Sequence, residues 1–433
     1  MLTSSSIGII ADDLTGANDT ALQFHIAGAK TRIILNPNDN YSHDEKVQAR
    51  AIPTETRNIA PEDAYEKIKE TACFMRDRLD IGYFYKKIDS TLRGNIAVEA
   101  LGLIQILEMD AAIIMPAFPN ENRVTVGGYH LSKGVPIEKT EIASDPHSPI
   151  YESHIPTILQ KQVGDEYASL IGSIELKTVL KGAGPVLKVL NELIEEGKKL
   201  IVVDAVSITD IEQVLLALDK CSYKVLPCGS AGAAQVLAKM LFPDVKVQTE
   251  QKTFSKLPKL IIAGSATELC ANQIKKLINS DEIDNTYSVS LTEKEFINGI
   301  TDDTFERIKT QLTPNNVVII HSSDICQNED LQALLIEHEL TKKQFASKIV
   351  DLLAELTKKL SAEKDFILVT VGGETSYECC RQLSCEYLNI IDEVAPAIPL
   401  CTDNNGKFII TKSGNLGSVN TLVEILKYIE RHE

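Results

Sequence analysis

The chain has 433 residues, 44% of them hydrophobic and 24% charged, with a formal net charge of −17. That length exceeds one ordinary core and predicts two domains, and the composition excludes a disordered chain. The acidic balance argues against nucleic acid or an anionic membrane surface as a partner, but leaves room for an anionic small molecule that meets cations locally.

No apolar stretch approaches the ~20 residues of a membrane span. The opening MLTSSSIGIIADD lacks a basic region and reads as a first strand, not a signal peptide. Nine cysteines, with no CxxC pair, predict a reduced, cytoplasmic protein in which each is a small buried apolar residue. His147 and His154 are too weak a pair to make a metal site, and the sequence singles out no metal ligands.

In chain order, short apolar runs rich in β-branched residues alternate with segments of helical period. SIGIIAD precedes TGANDTALQFHIAGAK, GYFYKKID precedes RGNIAVEALGLIQIL, KLIVVDAV precedes DIEQVLLALDK, and KVLPCGS precedes AGAAQVLAKML. The second half repeats the pattern with KLIIAGSA, NVVIIHSS and DFILVTVGG. Strands that are apolar throughout predict an α/β fold of two domains, each a mostly parallel sheet flanked by helices. Between them NENRVTVGGYHLSKGVPIEKTE alternates around a Gly-Gly pair and predicts a projecting β-hairpin in the first domain, either a flap or a homodimer contact. The polar, proline-bounded FPDVKVQTEQKTFSKLP is the predicted linker, 242–258, between domains 1–241 and 259–433.

Ligands of open α/β sheets sit beyond the carboxyl ends of the strands. That rule gathers Asp12 and Asp13, the run from Asp89 to Arg93, Gly229 and Ser230, Gly264 and Ser265, and Gly372 to Thr375. KKIDSTLRGN offers Lys87, Asp89, Ser90, Arg93 and Gly94, a set suited to a small polyhydroxy acid; the plainer reading is a charged turn capped by Ser90 or Thr91. Arg57 follows a short strand and is a second anion contact if that strand joins the same sheet. Three Gly turns in the second half open helices and suit phosphate: Gly264 and Ser265; Gly372, Gly373, Glu374 and Thr375; and Lys412, Gly414, Asn415 and Gly417. Neither GxxxxGK[ST] nor GxGxxG occurs.

The motifs ADDLTGANDTA, KKIDSTLRGN, PAFPNENRVTVGGYHL, PHSPIYESHI, GSAGAA, VGGETS and KSGNLG, in this order, resemble the four-carbon acid sugar kinases, also called tetronate kinases, over almost the whole chain. The resemblance implies an ATP-dependent kinase acting on the terminal hydroxyl of D-threonate, D-erythronate or 3-oxo-tetronate, with an N-terminal substrate domain and a C-terminal nucleotide domain. It implies that Asp12, Arg57, Lys87, Ile88, Asp89 and Ser90 hold the acid, with Arg93 nearby; Asp13, pointing the other way along the strand end, is a further substrate-binding candidate or else a helix-side cap, a support for its neighbours or a metal-side ligand. ATP would sit on Ser265, on Gly372 to Thr375 and on the Gly414 region. Two departures stand out: PAIP carries Ala397 where Gly is usual, and GSATE replaces a Gly-Ser-Cys-Ser turn.

Phosphoryl transfer needs positioning, charge neutralisation and a proton acceptor. Asp12 or Asp89 is the expected base, with Asp13 next, Mg²⁺ bridging phosphate oxygens, and the two domains closing to exclude water. Two rivals remain at this level: a two-domain sensor that binds a sugar acid without turnover, and a nicotinamide-dependent oxidoreductase. The second needs a ribose-binding acid after a Gly-rich turn, and none follows IIAGSATELC.

Overall fold

Strands that are buried on both faces need no alternation, and the apolar runs become the inner strands of parallel sheets. A computed structural model describes residues 6–38, 41, 44–144, 148–243, 254, 256–326 and 331–433. The chain divides into two compact units, Met1–Val247 and Gln248–Glu433. Most of the predicted 242–258 linker, and His147, lie outside the described residues.

In the first unit the strands are β1 (Ile7–Ala11), β2 (Thr31–Ile34), β3 (Ala49–Pro53), β4 (Phe84–Lys87) and β5 (Ala111–Met115). The hairpin supplies β6 (Arg123–Val126), β7 (Tyr129–Ser132) and β8 (Val135–Pro136); then come β9 (Ile171–Ile174), β10 (Leu200–Val203) and β11 (Val225–Gly229). The main sheet runs β2-β3-β1-β4-β11-β5-β10-β9, with every neighbouring pair parallel. After β1 the chain builds outward to one side with β3 and β2, then crosses to the other side with β4. The switch point, where a crevice opens, is therefore at β1 and β4. Ala11 pairs there with Pro53 and with Lys87, and Lys87 with Gly229. Helices Pro61–Cys73 and Ile96–Ile106 cover one face, burying Ile68, Ala72, Ala100 and Leu103 against Ile10, Ile52, Phe84 and Ile114.

The predicted hairpin forms and gains a third strand, giving an antiparallel β6-β7-β8 sheet. Gly127 and Gly128 both have positive φ, 59° and 76°, the geometry of the two-residue turn that matches strand twist. The Asp204 carboxylate holds that turn, accepting from Gly127 N at 2.7 Å and Gly128 N at 2.9 Å.

The second unit holds β12 (Lys259–Ala263), β13 (Thr286–Ser290), β14 (Val317–His321), β15 (Ile367–Val371), β16 (Tyr387–Ala395), β17 (Ile398–Asp403) and β18 (Phe408–Lys412). Its order is β13-β14-β12-β15-β18-β17-β16, parallel through β18 and antiparallel in the last two pairings. Helices Glu268–Ile278 and Thr421–Arg431 pack on it, burying Ile274, Leu277, Leu422 and Leu426 against Ile261, Val369 and Ile410. No helix among the described residues is long and apolar enough to cross a membrane. All nine cysteines are free thiols, six of them buried.

Candidate active site

At the switch point of the first unit, strand ends bring four sequence-predicted residues into one charged cluster. Arg57 Nε and Nη2 donate to the two Asp12 oxygens at 2.7 and 3.0 Å, and Nη1 meets Asp13 Oδ2 at 2.5 Å. Asp13 also caps helix Leu14–Ile26, its other oxygen accepting from Gly16 N at 2.7 Å. Asp89 accepts from Arg93 Nε at 2.6 Å and from the Thr91 hydroxyl at 2.5 Å. Neither Ser90 nor Thr91 caps the next helix, which starts at Ile96; Asn95 stands before it and donates to the Thr56 and Ile59 carbonyls at 2.8 and 3.1 Å. Lys87 is buried, and its ammonium donates to the Ile88 carbonyl at 2.8 Å.

These contacts set the charge states. Burial alone would raise the Asp12 carboxyl, but Arg57, with Lys87 and Lys86 behind it, outweighs burial and holds it below the usual range. Burial likewise opposes Asp89, and Arg93 and Arg57 hold it well below. Asp13 goes the other way: burial and the neighbouring Asp12 charge raise it despite Arg57. Arg57 is half-buried, and desolvation would lower it, yet Asp12, Asp13 and Asp89 keep it firmly protonated. Arg57 is thus the hub of three carboxylates.

Sequence reasoning missed the supports. Ser90 is held by two hairpin residues: Arg123 donates to its hydroxyl at 2.7 Å, and His130 Nε2 lies 2.8 Å from its carbonyl. That carbonyl can only accept, so Nε2 carries the proton and Nδ1 takes the Thr125 hydroxyl at 3.0 Å. Burial pushes His130 down to about 4, keeping it neutral. Glu55 stands beside the cluster in a left-handed conformation (φ 51°), accepting from Leu14 N at 2.7 Å. Both hairpin residues fall in PAFPNENRVTVGGYHL, but only the fold reveals that they face Ser90. His154, weighed as a metal ligand, bonds the Thr157 hydroxyl at 2.8 Å and lies against the Tyr129 ring. A cavity of about 470 Å³ opens beside the cluster, lined by Arg57, Asn58, Gly94, Asn95, Ser148 and Gln162 among others.

In the second unit the three Gly turns converge. Register places Ala263 beside Val371 and Val371 beside Lys412, so the turns after these strands meet. A Cβ on Gly264 would strike Thr375 Oγ1, and one on Gly414 would strike Ser265 Oγ. The Thr267 hydroxyl ties two turns, donating to the Gly414 carbonyl at 3.2 Å and lying 3.1 Å from Ser265 Oγ. Gly372, with φ 119°, precedes helix Gly373–Gln382, which exposes Glu374 at its start and buries Thr375. Asn415 and Gly417 are exposed on a loop that buried Gln273, unremarked in the sequence, holds by donating to the Leu416 and Ser418 carbonyls at 3.1 and 2.7 Å. Burial pulls the Lys412 ammonium down to about 8, and it donates to the Ser413 carbonyl at 2.7 Å. A glycine cradle with helix N-termini and a buried lysine fits a polyphosphate. Among the described residues, the group able to gather three metal ligands is Glu293, Glu337 and His338, which includes no predicted site residue.

The family model of a sugar-binding N-terminal domain matches residues 7–237, and that of a nucleotide-binding C-terminal domain matches 260–422. The D-erythronate kinase of Heliobacterium modesticaldum is 29% identical over 98% of this chain and 97% of its own. The D-threonate kinase of Salmonella typhimurium is 30% identical over 98% of each chain. A solved structure of a Haemophilus influenzae protein shares the fold, with a TM-score of 0.75 at 23% identity over 98% of this chain and 99% of that one. With both domain models matched in order and full-length relatives of this kind, the chain belongs to the four-carbon acid sugar kinase family.

Proposed function

We propose that this enzyme transfers the γ-phosphate of ATP to the terminal C4 hydroxyl of a four-carbon sugar acid. D-erythronate and D-threonate are the first candidates, from the relatives near 30% identity, and 3-oxo-tetronate follows. The observation that carries the reading is the Arg57 hub with Asp12 and Asp89 at the switch point, with Arg57 lining the adjoining cavity. Asp12, Asp13, Arg57, Lys87, Ile88, Asp89, Ser90 and Arg93 would hold the acid. Carboxylates fixed as anions by arginine accept hydrogen bonds from sugar hydroxyls, so Asp12 and Asp89 orient the substrate and, on the sequence reading, take its proton.

ATP would lie on Gly264, Ser265, Gly372, Gly373, Glu374, Thr375, Lys412, Gly414, Asn415 and Gly417, where close-approaching glycines and the Lys412 charge suit phosphate oxygens. Mg²⁺ bound to those oxygens would neutralise charge developing in transfer, and it needs few protein ligands. Residues 1–241 would form the acid-binding domain, 259–433 the nucleotide domain and 242–258 the linker. Free thiols support a cytoplasmic setting. The exposed Val126, Tyr129 and Val135 of the hairpin sheet support a homodimer contact.

The test is ADP release with Mg²⁺ and a panel of threonate, erythronate and 3-oxo-tetronate isomers. Turnover with at least one is expected. Tight acid binding without ADP release across the panel would leave the sensor reading, and thermal protection by NAD in place of ATP would favour the oxidoreductase.

A further inference from the structure

Resting on that kinase reading, we infer that Asp19, not Asp12 or Asp89, takes the proton from the attacking hydroxyl. The carboxylates at the strand ends are each engaged. Asp12 gives both oxygens to Arg57, Asp13 divides its oxygens between Arg57 and Gly16 N, and Asp89 is held by Arg93 and Thr91. Protonating any of them in the course of reaction would break an arginine pair.

Asp19 differs. It lies on helix Leu14–Ile26, three residues after Gly16, and so on the same helix face. Gly16 faces the substrate loop, for a Cβ there would lie 3.0 Å from Lys87 Nζ. Asp19 Oδ1 is buried, and no hydrogen-bond partner reaches it among the described residues. A buried carboxylate oxygen without a donor is costly and calls for a use. The residue is only half-buried, so the carboxyl is shielded from water without being sealed.

The groups acting on Asp19 are Lys87 from β4, Arg123 from β6, Glu121 before it, and Gln23 one turn along the helix; it in turn acts on Tyr85. Arg123 binds Ser90, and Lys87 precedes it by three residues, so the Asp19 carboxyl, whose Oδ1 has no donor, belongs to the same neighbourhood as the proposed acid site. Burial, opposed by Lys87, raises Asp19 to about 6, near the value that suits a base at neutral pH.

In the proposed step, the hydroxyl oxygen bonds to the γ-phosphorus while the bond from that phosphorus to the bridging oxygen breaks. That electron pair leaves with ADP, and the hydroxyl proton passes to the Asp19 carboxylate. The test is steady-state kinetics of wild type and D19N from pH 5 to 9, with fold checked by circular dichroism.

Wild-type kcat should rise with pH through about 6. D19N should lose roughly 10²–10⁴-fold in kcat, with KM for the acid little changed and the acidic limb gone. A D19N enzyme with wild-type kcat would overturn the assignment while leaving the kinase reading intact. So would a wild-type kcat flat between pH 5 and 8, which decides the matter even if D19N fails to fold. A wild-type chain that releases no ADP with any four-carbon acid would instead sink the kinase reading, and this one with it.

Discussion

Arg57 and Asp12 form a two-point ion pair, 2.7 and 3.0 Å long, between residues 45 apart in sequence. The same guanidinium also meets Asp13 at 2.5 Å. Sequence alone suggests that Arg57→Ala would mainly raise KM for the acid. The geometry adds a structural effect, because removing the hub takes the paired cation from buried Asp12 and from half-buried Asp13. R57A should therefore lose about 3–5 kcal/mol of stability, the range for stripping one partner from a buried pair. Urea unfolding at neutral pH measures it, and an unchanged midpoint would return Arg57 to a substrate-only role.

Glu55 gives a pH-dependent counterpart. Burial, with Asp13 beside it, raises its carboxyl from 4.5 to about 8. Between those values the folded chain holds a proton that the unfolded chain has released, so this group's contribution makes stability fall as pH rises through that window. Gln can still accept from Leu14 N and never ionises. The stability of E55Q relative to wild type should therefore increase from pH 5 to pH 8 in thermal unfolding; a constant difference would show that Glu55 ionises normally.

Lys86 and Glu99 pair inside the first unit, both essentially inaccessible to solvent. E99Q strands the ammonium and should cost about 3–5 kcal/mol, whereas K86M/E99L removes both charges and should cost less. Equilibrium denaturation of the three variants checks the order, and a double variant weaker than E99Q would contradict it.

Gly414→Ala separates the two proposed ligand sites. The added Cβ would strike Ser265 Oγ inside the glycine cradle. An overpacking strain of about 1–3 kcal/mol should weaken ATP binding roughly tenfold or more. ATP should then give a reduced thermal shift, while the four-carbon acid protects as before. Equal loss of both shifts would mean that the variant disturbs more than the cradle.

Ala397 is the family departure visible in PAIP. It has φ 62° in the two-residue turn between β16 and β17, after Pro396. Proline followed by a positive φ is the type II pattern, which favours glycine at the second position. Ala397→Gly should raise stability by up to about 1 kcal/mol; a lower Tm would mean that the alanine methyl has a packing role.

The sequence carried the alternation of strand and helix, because parallel strands are apolar throughout and need no partner to be recognised. It also placed Asp12, Lys87, Asp89, Gly264, Gly372 and Gly414 at strand ends, since the turn residues that follow buried strands are local features. Asp13 is another local feature: the amide it caps is only three residues away.

What only the tertiary structure decided is which charges meet. Arg57 reaches Asp12 across 45 residues, and Arg123 reaches Ser90 across 33. No periodicity encodes such pairings; the first follows from parallel register, which sets β3 and β4 on either side of β1, and the second from the hairpin sheet bringing β6 to the turn after β4. Asp19 shows the difference most clearly. In the sequence it is one more polar residue in a predicted helix; in the fold it is a half-buried carboxyl whose inner oxygen lacks a donor, set among charges from β4 and β6 that lie far from it in the chain.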